Sequence, residues 1–240
     1  MECSALQANL DRVRERIASA AQRAGRSAAE VRLVVITKTH PPETIRALYA
    51  CGVREIGENR VHEALDKQQA LADVADVCWH MVGHVQRRKA RHVVGRFALV
   101  HSVDSVRLAR ELDKRAHMAG VDHVDVLLEV NVSGEATKYG FPVISPDHVG
   151  PFLDEVRAIL ELPHIRVHGL MTLAPLVADP EEARPHFVAL RRLRDQLVRE
   201  FPEANWRELS MGMSNDFEVA VEEGATLVRI GTAILGPRSL

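Results

Sequence analysis

The sequence predicts an α/β protein, a single (β/α)8 TIM barrel with an extra N-terminal helix. Three observations lead there. Eight short β-favouring runs alternate with helical patterns, which calls for parallel strands joined by right-handed crossovers. Eight strands is also the number that closes a barrel and removes both sheet edges. Finally, the turn after the first strand, Lys38-Thr39-His40-Pro41-Pro42, has no glycine. A doubly wound open sheet uses the same alternation, usually with fewer strands and often with a Gly-rich turn at that point.

The elements follow in order. An amphipathic helix covers about 4–24, with Ser4 as candidate cap and Arg12, Arg14, Arg16 and Arg23 interleaved with acids. It lacks the apolar core of a signal peptide. Runs rich in β-branched or aromatic residues, or bounded by turn residues, place strands at 32–38, 54–58, 78–83, 97–103, 124–132, 165–173, 207–212 and 226–231. Helical spacing fills 43–51, 60–72, 85–95, 105–119, 146–161, 181–200 and 215–223. The length of 240 residues suits one barrel, read as one domain over 1–240. Only nine residues follow Gly231, which leaves no room for a second domain after the barrel.

Composition excludes several classes. Lys plus Arg is 31 and Asp plus Glu is 33, a formal net charge of -2. That gives no electrostatic argument for nucleic acid or an anionic membrane. The basic run Arg87-Arg88-Lys89-Ala90-Arg91-His92 reads as a solvated helix face. Cys3, Cys51 and Cys78 are an odd, scattered set without a CxxC pair. They argue against a disulfide framework or a zinc site and for a reducing cytoplasm. No apolar stretch approaches about 18 residues, so no span is expected. The chain is expected to be monomeric.

In a barrel the chemistry gathers where strands end and βα loops begin. Lys38 closes the first strand. There it either extends into solvent or reaches a half-dry site, where desolvation turns its amine into a nucleophile for an aldehyde. Nearby His40 is either a base or a loop residue. Ser210-Met211-Gly212-Met213-Ser214 runs into a helix, and Gly231-Thr232 follows the last strand. Together they read as an anion site, the barrel's recurrent phosphate position. Ser214 also suits the N-cap of the following helix.

Arg229 shares a strand face with Gly231. An inward arginine needs an acceptor or anion: Glu58 or Glu129 in a salt bridge, or a heterocycle nitrogen that it would keep unprotonated. Asn59 and His80 are candidates for hydrogen bonds around a ligand or for structural polar groups. His80 and His84 are four apart but straddle a strand end without a third ligand, so no metal is expected.

In order and spacing, these residues resemble the YggS/PROSC family of pyridoxal phosphate homeostasis proteins. The carriers are Val35-Ile-Thr-Lys38-Thr with Pro41, Gly57-Glu-Asn-Arg-Val61 with Glu63, and Trp79-His-Met-Val-Gly83 with Gln86 and Lys89. Val130-Asn-Val-Ser-Gly-Glu135 with Lys138 and Gly140, and His168-Gly-Leu-Met-Thr172, follow. Ser210-Met-Gly-Met-Ser214 with Asp216, and Val228-Arg-Ile-Gly-Thr-Ala-Ile-Leu-Gly236, complete the set. The resemblance implies a fold-type III barrel like the N-terminal domain of alanine racemase. It implies pyridoxal 5′-phosphate (PLP) as a Schiff base on Lys38. Phosphate contacts would come from Ser210, Met213, Gly231 and Thr232, with Arg229 at the pyridine nitrogen and Asn59 near the ring. It implies a carrier that buffers PLP or supplies it to apo-enzymes, without turnover. Val85, Arg88 and His62 depart from the family's usual Leu, Asn and Gln.

Two enzymatic alternatives stay open. A racemase needs a second base opposite Lys38, and Tyr139 is the residue to supply it. A cofactor-free sugar-phosphate isomerase or aldolase would use the same lysine and anion loops. Lys138 is either a solvated lysine or a second landing site for PLP.

Overall fold

The structure, a computed structural model, describes residues 3–236, with side chains from Ser4 onward. The Cys3 thiol lies outside the described side chains. Helix α1 (Cys3–Arg23) buries Leu6, Leu10, Val13, Ile17 and Ala20, a spacing of three and four that forms one apolar stripe. Ser4 sits inside this helix and does not cap it.

The strands are β1 (Arg32–Ile36), β2 (Glu55–Glu58), β3 (Cys78–Met81), β4 (Leu99–Val103), β5 (Val124–Asn131), β6 (Phe141–Pro142), β7 (Ile165–Met171), β8 (Glu208–Ser210) and β9 (Leu227–Ile230). All pair in parallel. Apart from β6, neighbours in sequence are neighbours in space, and the β9–β1 and β4–β5 pairings close eight strands into a barrel. The expected fold is the one observed. The two-residue β6 lies on β5 outside this ring and was not expected, because a run containing Pro142 carries little strand signal.

The crossover helices are α2 (Pro42–Ala50), α3 (Val61–Ala70), α4 (Val106–Ala119), α5 (Val149–Leu160), α6 (Arg184–Glu200) and α7 (Phe217–Glu222), with α8 (Thr232–Leu235) after β9. Between β3 and β4 the expected α-helix is instead a 3-10 turn, Arg87–His92. Its arginines are exposed, as a solvated basic run should be. Ser214 does not cap α7. That position falls to Asp216, while Ser214 Oγ accepts from Ala233 N–H.

The main core lies between barrel and helices. Inside the barrel the apolar plug is small: Val34, Leu99, Leu127, Met171 and Leu227. The rest of the interior is polar, with His80, His101, Glu129, Ser210 and Arg229 all buried. Gly169 marks the tightest strand contact. Its φ of 148° and its approach to the Glu208 backbone leave no space for a Cβ. Among the described residues no helix is long and apolar enough to cross a membrane.

Candidate active site and cofactor cradle

The turn carrying Lys38 is held from behind. Thr39 sits at φ 69°, a left-handed conformation uncommon outside glycine. Its N–H donates to Glu63 Oε1 at 2.5 Å. Lys67 places its three N–H donors on Thr37 O (2.8 Å), Glu58 Oε1 (2.7 Å) and Glu63 Oε1 (2.7 Å). Thr37 Oγ1 also donates to Glu58. Burial raises the Glu58 carboxyl even though Lys67 and Thr37 pull it down. This cluster fixes the backbone on both sides of Lys38. The sequence hides it because Glu63 and Lys67, four apart on a helix, look like an ordinary surface pair.

At the C-terminal mouth, Lys38, Met213, Asp216, Arg229, Gly231 and Thr232 line one cavity of about 480 Å3, together with Ser214, Asn215 and the apolar Ile36, Pro175, Leu176 and Val177. That volume is typical of a small-molecule site. Gly231 precedes α8 and Thr232 opens it, so their N–H groups are among the four that a helix start leaves without intrahelical acceptors. A Cβ at Gly231 would press on Ile36 O at 3.1 Å, so glycine here lets the end of β9 pack closely against β1 at the cavity rim. The Met213 N–H is donated to Asp216 Oδ1 at 2.6 Å, which shapes the loop after β8. Burial raises the Asp216 carboxyl.

Arg229 pairs with neither Glu58 nor Glu129. Its Nη1 donates to Ser210 Oγ (2.5 Å) and its Nη2 to Thr172 O (2.8 Å). Burial pulls its guanidinium down to about 10, still cationic at neutral pH. Asn59 follows β2, and its Oδ1 is a buried acceptor without a protein partner. An orphaned acceptor of this kind can take a polar ligand, but Asn59 is not among the residues that line the cavity.

Two expected contacts lie deeper. Ser210 is fully buried beneath Arg229, and His80 does not line the cavity. Both belong to a hydrogen-bonded chain through the barrel. His80 Nε2 meets Glu55 Oε2, and His80 Nδ1 meets His101 Nε2 at 2.9 Å. His101 Nδ1 meets Ser210 Oγ at 2.8 Å. Arginine only donates, so Ser210 Oγ accepts from it and gives its own proton to His101 Nδ1. The imidazole protons of His101 and His80 then sit on Nε2, and the chain ends on the Glu55 carboxylate. These tautomers are assigned from the network. Burial holds His101 well below the usual imidazole range, consistent with its neutral role. Ser210→Ala is expected to cost about 1–3 kcal/mol in a urea melt, by leaving Arg229 and His101 each short of a partner. An unchanged midpoint would remove this chain as a stabilising element.

The other candidates lie elsewhere. His40 lines an outer groove with Pro41 and Pro42. His84 is bonded to Asp104 and stacks on Tyr139 at 3.8 Å between ring centroids. Lys138 lies in the same groove as that pair, against Glu135 and Leu173 O. Arg88 folds back onto Gln86.

The family model for the alanine racemase N-terminal domain matches residues 8–239. A pyridoxal phosphate homeostasis protein of Aquifex aeolicus is 48% identical over 229 residues, covering 95% of this chain and 96% of the relative. Its Pseudomonas aeruginosa counterpart is 43% identical, covering 98% and 96%. The solved structure of Synechococcus elongatus PipY with PLP bound superposes at TM-score 0.79 with 36% identity, covering 93% of this chain and all (100%) of that one. Alanine racemase of Clostridium difficile, at 15% identity and TM-score 0.73, shares the fold over 58% of its own length. Barrel, motifs and full-length likeness agree: this chain belongs to the pyridoxal phosphate homeostasis protein family, built on the alanine racemase N-terminal domain.

Proposed function

We propose that this protein binds PLP for homeostasis, holding it as a Schiff base on Lys38 and buffering or supplying it to apo-enzymes. The observation that carries this reading is one cavity bearing Lys38, the Arg229 cation and the Gly231–Thr232 helix start. When bound, PLP supplies an electrophilic aldehyde and a conjugated ring. Lys38 offers the amine, and the helix start after Gly231 suits the phosphate. Arg229, set opposite the ring nitrogen, would keep that nitrogen unprotonated and so weaken the ring as an electron sink. A reversible imine suits storage, because a competing amine displaces the lysine.

The same cavity argues against racemisation. Proton transfer on two faces needs a second base, and Tyr139 is exposed and stacked on His84 in another groove. Among the described lining residues the titratable groups are Lys38, Asp216 and Arg229, and Asp216 is held by the Met213 N–H. We assign the protein to the cytoplasm as a monomer. The test is transfer. Protein loaded with PLP and freed of excess is expected to activate an apo PLP-dependent enzyme stoichiometrically. It is expected to catalyse no deuterium exchange at the Cα of alanine in D2O. Catalytic exchange would contradict the carrier reading.

A further inference from the structure

The barrel's opposite, N-terminal mouth holds a group of side chains that PLP binding does not use. Glu55 opens β2 and Cys78 opens β3, and the two are direct register partners. His80 follows two residues later on the same strand face. A carboxylate oxygen of Glu55, Cys78 Sγ and a His80 ring nitrogen all lie within 4.8 Å of one another. The Glu55 side chain is 26% exposed, and it borders a cavity of about 350 Å3 that opens between α1 and the starts of β1 and β2.

We propose that this mouth is a divalent transition-metal site, with Glu55 Oε, Cys78 Sγ and His80 Nε2 as ligands and Zn2+ as the class of ion. The chemistry of the donors selects the metal. A thiolate and an imidazole favour Zn2+ or Co2+ over Mg2+ and Ca2+, which prefer all-oxygen sets. Thiolate plus carboxylate carries two negative charges, matching the ion. Three protein ligands leave a fourth tetrahedral position for water from the cavity. Arg32, the cation that acts on both Glu55 and Cys78, is engaged by Glu208 Oε1 at 2.9 Å.

His80 already has the support that a metal-bound imidazole needs. Its Nδ1 faces His101 Nε2 at 2.9 Å. On binding, the Cys78 thiol releases its proton to solvent. The His80 ring shifts its proton from Nε2 to Nδ1 and donates to His101 Nε2; His101 shifts its proton to Nδ1, and the Ser210 hydroxyl turns its own hydrogen away so that Oγ accepts from both His101 Nδ1 and Arg229 Nη1. Three metal–ligand bonds form, one proton leaves and no electron is transferred. Burial and the neighbouring Glu55 push the Cys78 thiol up to about 12. The ion must therefore displace that proton on binding.

The test titrates chelator-stripped protein with Co2+ and reads the thiolate-to-cobalt charge-transfer absorption as a difference spectrum. One equivalent is expected to saturate it, Zn2+ to displace it, and Mg2+ to leave it unchanged. Cys78→Ser should abolish the band with the thermal melt intact, and Glu55→Gln should weaken binding at least tenfold. Cys51→Ser and Lys38→Ala should titrate like the parent, separating this mouth from the PLP cavity. Absence of a band in the parent, or a band that survives Cys78→Ser, overturns the proposal.

Discussion

Lys67→Met is expected to lower the unfolding free energy by about 3–5 kcal/mol, the usual cost of removing one partner from a buried ion pair. The Glu58 side chain is fully buried, and that of Lys67 is only 5% exposed. Without Lys67, Glu58 keeps only the Thr37 hydroxyl, and its other oxygen already lacks a partner. The carboxyl would protonate or the turn would shift to admit water, and either outcome loosens Thr37 and Thr39. PLP retention should fall with stability, although Lys67 does not line the cavity. Adding Glu58→Gln should recover part of the loss, because no unpaired charge then remains buried. The check is a guanidinium melt of parent, single and double variants. A loss below about 1 kcal/mol for Lys67→Met would mean the cluster does not support the Lys38 turn.

Glu129 should make stability fall as pH rises from about 4.5 to about 7. Burial, then the nearby Asp104, push its carboxyl up to about 7 against an ordinary 4.5, while Arg229 pulls it down. Below about 4.5 both folded and unfolded chains hold the proton. Between the two values the unfolded chain has released it and the folded chain has not, so each rise in pH favours unfolding. Above about 7 the loss is complete, on the order of 3 kcal/mol. Glu58 and Asp216, also raised by burial, slope in the same direction, whereas Glu55, lowered by its bond to His80, slopes in the opposite one. The informative quantity is therefore the difference between parent and Glu129→Gln. The variant should be more stable above about pH 7 and nearly equal to the parent near pH 4. Parallel curves across that range would mean Glu129 is ionised in the folded protein.

The barrel was legible in the sequence because its signal is local. Runs such as Leu33-Val34-Val35-Ile36 and Leu127-Leu128-Glu129-Val130 read as strands wherever they occur, and eight of them leave few topologies. Lys38, Met213, Arg229, Gly231 and Thr232 were legible because strand ends in a barrel converge on one face, and all five line the cavity. What the sequence hid depends on closure. Glu55, His80, His101, Ser210 and Arg229 come from five strands, and each alone is a single polar residue in an apolar run. Only the closed barrel turns them into one chain, which is why His80 and Ser210 read as ligand contacts in the sequence, whereas they lie buried in the barrel and do not line the cavity. The metal-ligand trio was hidden likewise. By spacing in the sequence His80 pairs with His84, four residues on, whereas its neighbours in the fold are Cys78 along the strand and Glu55 across the sheet.

The central claim is that Lys38 is the amine that holds the cofactor. The direct measurement is borohydride reduction of the PLP-loaded protein, which fixes any imine as a stable secondary amine, followed by peptide mapping by mass spectrometry. The phosphopyridoxyl group is expected on Lys38, and Lys38→Ala should lose both that label and the visible absorption of the bound cofactor. A label confined to Lys138, or full absorption retained in Lys38→Ala, would contradict the assignment.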